Sequence, residues 1–103
     1  MPIYTAMNEL KSKVPGSVEG AQVFLDTLSP DVQEQLISAI YLGREHIHST
    51  ELRDDVEISR SYTDHIGKSE YARILHEKGG NVITYLNKLE SCAKASHFDL
   101  NTL

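Results

Sequence analysis

The segment Leu28-Ser29-Pro30-Asp31-Val32-Gln33-Glu34-Gln35-Leu36-Ile37-Ser38-Ala39-Ile40-Tyr41-Leu42-Gly43-Arg44 contains a complete helix specification. The Ser29 hydroxyl can accept from the first unpaired amides, and Pro30 stands where its missing N–H would be an orphan in any case. Asp31 places an acid beside the positive end of the helix dipole. At ~100° per residue, Val32, Leu36, Ile37, Ala39 and Ile40 fall in one arc, with Asp31, Glu34, Gln35 and Ser38 opposite. Gly43 suits the left-handed residue that closes a helix, so the spacing predicts a helix ending there.

The flanking sequence continues in the same style. Ile3, Met7, Leu10 and Val14 recur at helical spacing until Pro15-Gly16 stops them. Ser17 can cap a second helix, in which Val18, Ala21, Phe24, Leu25 and Leu28 share a face and Gly20 is a weak point. Beyond Arg44 the signals thin out. Ser49-Thr50 can cap a helix with Leu52, Val56, Ser59, Tyr62, Thr63 and Ile66 on one side, ended by Gly67. The alternation in Asp55-Val56-Glu57-Ile58-Ser59 also suits a short strand, but no partner strand is evident, so the helix is the expectation.

Ser69 is the expected cap of a short helix with Tyr71, Ile74 and Leu75 inward, terminated by Gly79-Gly80. After Asn81 a last stripe runs through Val82, Tyr85, Leu86, Leu89, Cys92 and Ala93. Residues 96–103 are expected to be a loose tail unless Phe98 and Leu100 dock. The whole is expected to be a single all-α domain, residues 1–103, forming a compact bundle of five or six short helices.

Leu28-Ser29-Pro30, Gln33, and the run from Leu36 to Leu42-Gly43-Arg44 resemble a family of small bacterial domains of unknown function, the DUF3775-like domains. Tyr85-Leu86 and Leu89, within Ile74–Leu89, stand where that family places a second Tyr-Leu motif before a leucine-rich helix. The resemblance spans roughly residues 28–93. It departs at Glu45-His46, where a small residue and an acid are expected, and at Gly79-Gly80. It implies a helical bacterial domain and no particular reaction.

Composition narrows the function classes. The chain has 103 residues and a net charge of −5, so one modest core fits and a deep dedicated active-site cavity does not. Acidic balance and dispersed lysines and arginines argue against nucleic acid as a partner. No apolar run is long enough to span a bilayer. One cysteine, Cys92, excludes an internal disulfide, and no signal-peptide pattern opens the sequence. A reduced cytoplasmic protein is the expectation.

Three groups of residues can carry chemistry. His46 and His48, followed by Glu51, Asp54 and Asp55, offer imidazole and carboxylate ligands for zinc, iron or manganese, although they lack the i, i+4 spacing of helical metal sites. His65 beside Asp64 has the composition of a general base, and Cys92 that of a nucleophile. A surface histidine and a buried packing cysteine are the simpler readings. Residues 70–95 can be viewed as a helix-turn-helix, but the start of its second helix lacks basic residues, so an antiparallel core hairpin is expected.

No catalytic constellation and no cofactor motif emerges. The sequence therefore points to a non-enzymatic interaction or regulatory module acting through an apolar helical face, as a homodimer or as an inhibitor of a host protein. Tyr41, Leu42, Arg44 and Ile83 are the candidate partner-binding residues. A metal-binding domain centred on His46 and His48 is the alternative, and a DNA-associated regulator the second alternative.

Overall fold

The structure is a computed structural model that describes all residues 1–103. Five α-helices account for its regular structure: α1 (Ile3–Ser12), α2 (Val18–Leu25), α3 (Pro30–Glu45), α4 (Tyr71–Lys78) and α5 (Asn81–Ala95). Short 3-10 turns cover Arg60–Thr63, Lys68–Glu70 and Leu100–Thr102, and there are no strands. The predicted all-α bundle is the one observed.

α3 is the axis of the molecule. Ser29 caps it as predicted, its hydroxyl accepting from the Val32 amide at 3.3 Å. The expected two-sided helix is corrected, however, because every residue from Gln35 to Ile40 is buried. Polar residues on its second face are matched individually. Gln35 donates to the Asn101 carbonyl at 3.0 Å and the Leu103 carbonyl at 3.2 Å. Ser38 donates to the Arg60 carbonyl at 3.0 Å and is bonded to the Thr63 hydroxyl at 2.6 Å. No buried side-chain nitrogen or oxygen is left without a partner, which is what allows polar groups in so small a core.

Gly43 does not terminate α3, which continues to Glu45. It is a contact residue instead. A Cβ placed there would collide with the carbonyl carbon and oxygen of Tyr85, so only glycine lets α3 and α5 approach this closely. That pair of helices forms the main packing interface, while α2 packs on α4. α4 and α5 touch little, so they do not form the expected hairpin of the core. Gly79, with φ 51°, makes the turn between them as the sequence suggests.

Residues 46–66 correct the predicted fourth helix. They form an irregular segment with one 3-10 turn and no strand. Two of its backbone donors are taken by side chains of the residues that cap α3 and α5. The Leu52 amide donates to Ser96 Oγ at 2.9 Å and the Arg53 amide to His46 Nε2 at 3.0 Å. Serines within the segment also compete for its backbone, as when Ser59 Oγ accepts from the Ser61 amide. Its apolar residues Leu52, Val56, Ile58, Tyr62 and Ile66 still pack on the core.

The C-terminal residues are docked rather than loose. Leu100 and Leu103 are fully or nearly fully buried, and the Leu100 amide donates to the Tyr4 hydroxyl at 2.9 Å. Arg60 holds the Leu103 carbonyl through Nε at 2.9 Å and Nη2 at 2.7 Å. With Gln35 donating to the same carbonyl, this end of the chain is tied to α3 and to the irregular segment at once.

A candidate cation-aromatic cleft

His46 cannot serve as the metal ligand the sequence suggested. It is fully buried, and both ring nitrogens are used. Nδ1 lies 2.7 Å from the Leu42 carbonyl, and Nε2 accepts from the Arg53 amide at 3.0 Å. A carbonyl can only accept and an amide can only donate, so the ring is a neutral tautomer protonated on Nδ1. His46 thus closes α3 and pins the following loop. His48 is exposed and does not converge with it.

Of the nearby acids, Asp55 and Glu45 are committed to Arg53. Arg53 takes Asp55 at 2.6 Å and Glu45 at 3.2 Å, and its hydrogen bond holds the Asp55 carboxyl below its usual range. No group of three histidine, cysteine or acidic side chains is placed to hold a metal ion.

The other sequence candidates separate in the same way. His65 and Asp64 are both exposed, with no carboxylate bonded to the imidazole. Cys92 is fully buried with its Sγ directed to the Ser49 carbonyl at 3.6 Å. Burial pushes its thiol above the ordinary value, the opposite of what a nucleophile needs.

Of the four partner-binding candidates, the structure brings two together. Leu42 is fully buried in the core, a correction to its placement off the apolar stripe, while Tyr41 and Arg44 on the same turn are half-buried and exposed. Ile83 is half-buried and lies on the flank of α5 opposite Tyr85, since two residues turn a helix by ~200°. Tyr41 and Arg44 line one cleft with Ile74, Glu77, Lys78, Asn81 and Tyr85, enclosing about 280 Å³.

Lys78 was not singled out from the sequence, and it organises this cleft. Its ammonium lies 4.5 Å from the Tyr41 ring centroid and 5.8 Å from that of Tyr85. Both distances are within the range in which a ring face attracts a cation. Five of the ten lysines and arginines form ion pairs: Lys11, Arg53, Arg60, Lys68 and Arg73. Arg44 and Lys78 form none, yet they share a cleft. The one acid in its wall, Glu77, is taken by Arg73 at 2.8 Å. Burial, and then the neighbouring Arg44 charge, push the Lys78 amine below the ordinary lysine value.

Two other concavities lack this feature. The cleft around Arg60, Lys68 and Tyr71 has its cations neutralised by Asp31 at 3.2 Å and Glu34 at 3.7 Å. The groove of Val14, Pro15, Val23 and Phe24 is mostly apolar, with a single cation, Lys13, and an acid, Glu9, in its wall, and Val23 is 68% exposed there.

Together the fold and cleft define a small all-α domain presenting an unneutralised pair of cations between two tyrosines. Comparison of the chain with protein-family models, with curated proteins and with solved structures gives no match. No helix is long and apolar enough to cross a membrane.

Proposed function

We propose that this chain is a non-enzymatic, cytoplasmic protein-interaction module whose binding face is the Tyr41–Arg44–Lys78–Tyr85 cleft. The observation that carries the reading is a pair of neighbouring cations that form no ion pair and whose one nearby acid, Glu77, is held by Arg73, on a chain whose net charge is −5. An uncompensated like-charge pair costs free energy in the isolated protein, and a bound anionic group repays it. Two tyrosines beside an arginine also form a composition common at the energetic centres of interfaces.

The expected apolar helical face is replaced in this reading by a mixed aromatic and cationic one. A second copy of the chain and a different protein, including a host protein held inhibited, are both admissible partners of such a module. The resemblance of residues 28–93 to a bacterial domain family is compatible with it and adds no chemistry.

Affinity purification of the tagged chain from its native cells, beside the Arg44→Glu variant, tests the reading. The expected result is a partner retained by the wild-type chain and depleted about tenfold with Arg44→Glu, a loss of the size seen for one charge contact at an interface. Equal recovery of every associated protein by both chains overturns it.

A further inference from the structure

The cleft has a continuation. Tyr41, Ile74 and Glu77 also line a second cleft of about 560 Å³, with His65, Ser69, Glu70 and Arg73. Tyr41 is therefore a shared wall, with the Arg44–Lys78 pair on one side and a mixed polar and apolar channel on the other. A free small anion would use only the first cleft. A side chain presented by a polypeptide would use the first cleft and lay its neighbouring residues along the second.

The charges also discriminate between anions. Arg73 is doubly neutralised, by Glu70 and Glu77 at 2.8 Å each. The channel therefore carries one surplus negative charge beside the Arg44–Lys78 pair. A polyanion such as a nucleic acid, with charge at every step, meets repulsion as soon as it leaves the pair. A single carboxylate flanked by uncharged residues does not. Arg44 offers the planar fork that binds a carboxylate through two parallel hydrogen bonds, and Lys78 offers a point charge already partly stripped of water.

Resting on the binding-module reading, we infer that the Arg44–Lys78 cleft receives one aspartate or glutamate side chain of a partner polypeptide, whose adjoining uncharged residues lie along the Tyr41–Arg73 channel. Lys78 faces Tyr41 and Arg44 from α3, Tyr85 from α5, and Glu77 on its own helix. Glu77, the one acid in the cleft, is already paired with Arg73, so an incoming carboxylate is the first to form an ion pair with either cation.

The test is a titration of the 15N-labelled full chain with acetyl-Ala-Glu-Ala-amide, its glutamine and phosphoserine counterparts, and sodium acetate, followed by amide chemical shifts. The glutamate peptide should shift the signals of residues around Tyr41, Arg44, Lys78 and Tyr85 saturably. The glutamine peptide should bind at least about tenfold more weakly, and Arg44→Gln and Lys78→Met should each weaken the glutamate peptide about five- to tenfold. Arg44 is exposed and Lys78 half-buried, and unchanged shifts elsewhere in the spectrum show that both variants remain folded.

Equal binding of the glutamine peptide, acetate binding as tightly as the peptide, or shifts confined to another face each overturn the inference. Tenfold tighter binding of the phosphoserine peptide overturns the carboxylate assignment. If the peptides fail while Arg44→Glu still loses a partner in cells, the ligand assignment falls and the binding face stands.

Discussion

Gly43 on α3 lies against the backbone carbonyl of Tyr85 on α5, with the Tyr85 Cα only 3.0 Å from where a Cβ would stand. This close approach brings Tyr85 beside Arg44, the residue after Gly43, and so builds one wall of the cleft. The contact that sets the principal helix packing also places the candidate site.

Replacing Gly43 with alanine should therefore reverse the usual rule. Inside a helix, alanine is favoured over glycine by about 1 kcal/mol. Here the methyl group collides with backbone, which cannot rotate away, and a net loss of about 2 kcal/mol or more is expected. Thermal unfolding should show Tm lower by roughly 10 °C. Gly80→Ala, where nothing lies within 4 Å, is the control and should leave Tm nearly unchanged.

His46→Ala removes the group that receives the Arg53 amide and donates to the Leu42 carbonyl, and it leaves a cavity. Urea unfolding should show a loss of about 2–4 kcal/mol. His48→Ala, at an exposed position, should stay within about 0.5 kcal/mol of wild type. Comparable losses at both positions would contradict the division of roles drawn between them.

These residues also show how far the sequence can be read. Apolar spacing made all five helices legible, and serine caps marked α2 and α3, because those signals act within a few residues; the cap expected from Ser69 on α4 is not made. The central position of α3 was not legible, since Gln35 and Ser38 look like solvent residues until their partners Asn101, Leu103, Arg60 and Thr63 arrive from distant sequence. The segment after His46 has inward apolar residues at helical spacing, yet the capping side chains His46 and Ser96 take two of its backbone donors. Glycine at position 43 is equally suited to end a helix or to admit a neighbour, and only packing decides. Lys78 was missed because nothing in its local sequence shows that Arg44 lies alongside; the one clue is its position in the last turn before Gly79-Gly80.

Cys92 should behave as a buried thiol. Its burial raises the thiol above its ordinary value, so the protonated form dominates well past neutral pH. Ellman's reagent should react with the native chain at least about a hundredfold more slowly than with the chain in urea, the folded protein exposing the sulfur only on opening. Rapid native reaction would show an accessible thiolate.

The pH response of Lys78 follows from the direction of its shift. Its folded value lies below its unfolded value of about 10.5, so the unfolded chain binds the proton more tightly. At neutral pH its charge therefore costs stability, a cost relieved as pH rises through the folded value toward the unfolded one. Lys78→Met, which keeps the stem over the tyrosines, should leave the urea midpoint at pH 7 unchanged or raised. A midpoint lowered like that of His46→Ala would make Lys78 a structural residue.

The binding role of the cleft is tested most directly by photo-crosslinking in native cells. Benzoylphenylalanine in place of Tyr41 should give one discrete adduct with a partner, reduced about tenfold when Arg44→Glu is added. The same group in place of Lys94, exposed on the far side of α5 from Tyr85, should give no such adduct. Equal adducts from both positions, or a Tyr41 adduct indifferent to Arg44→Glu, would contradict the assignment of this cleft as the binding face.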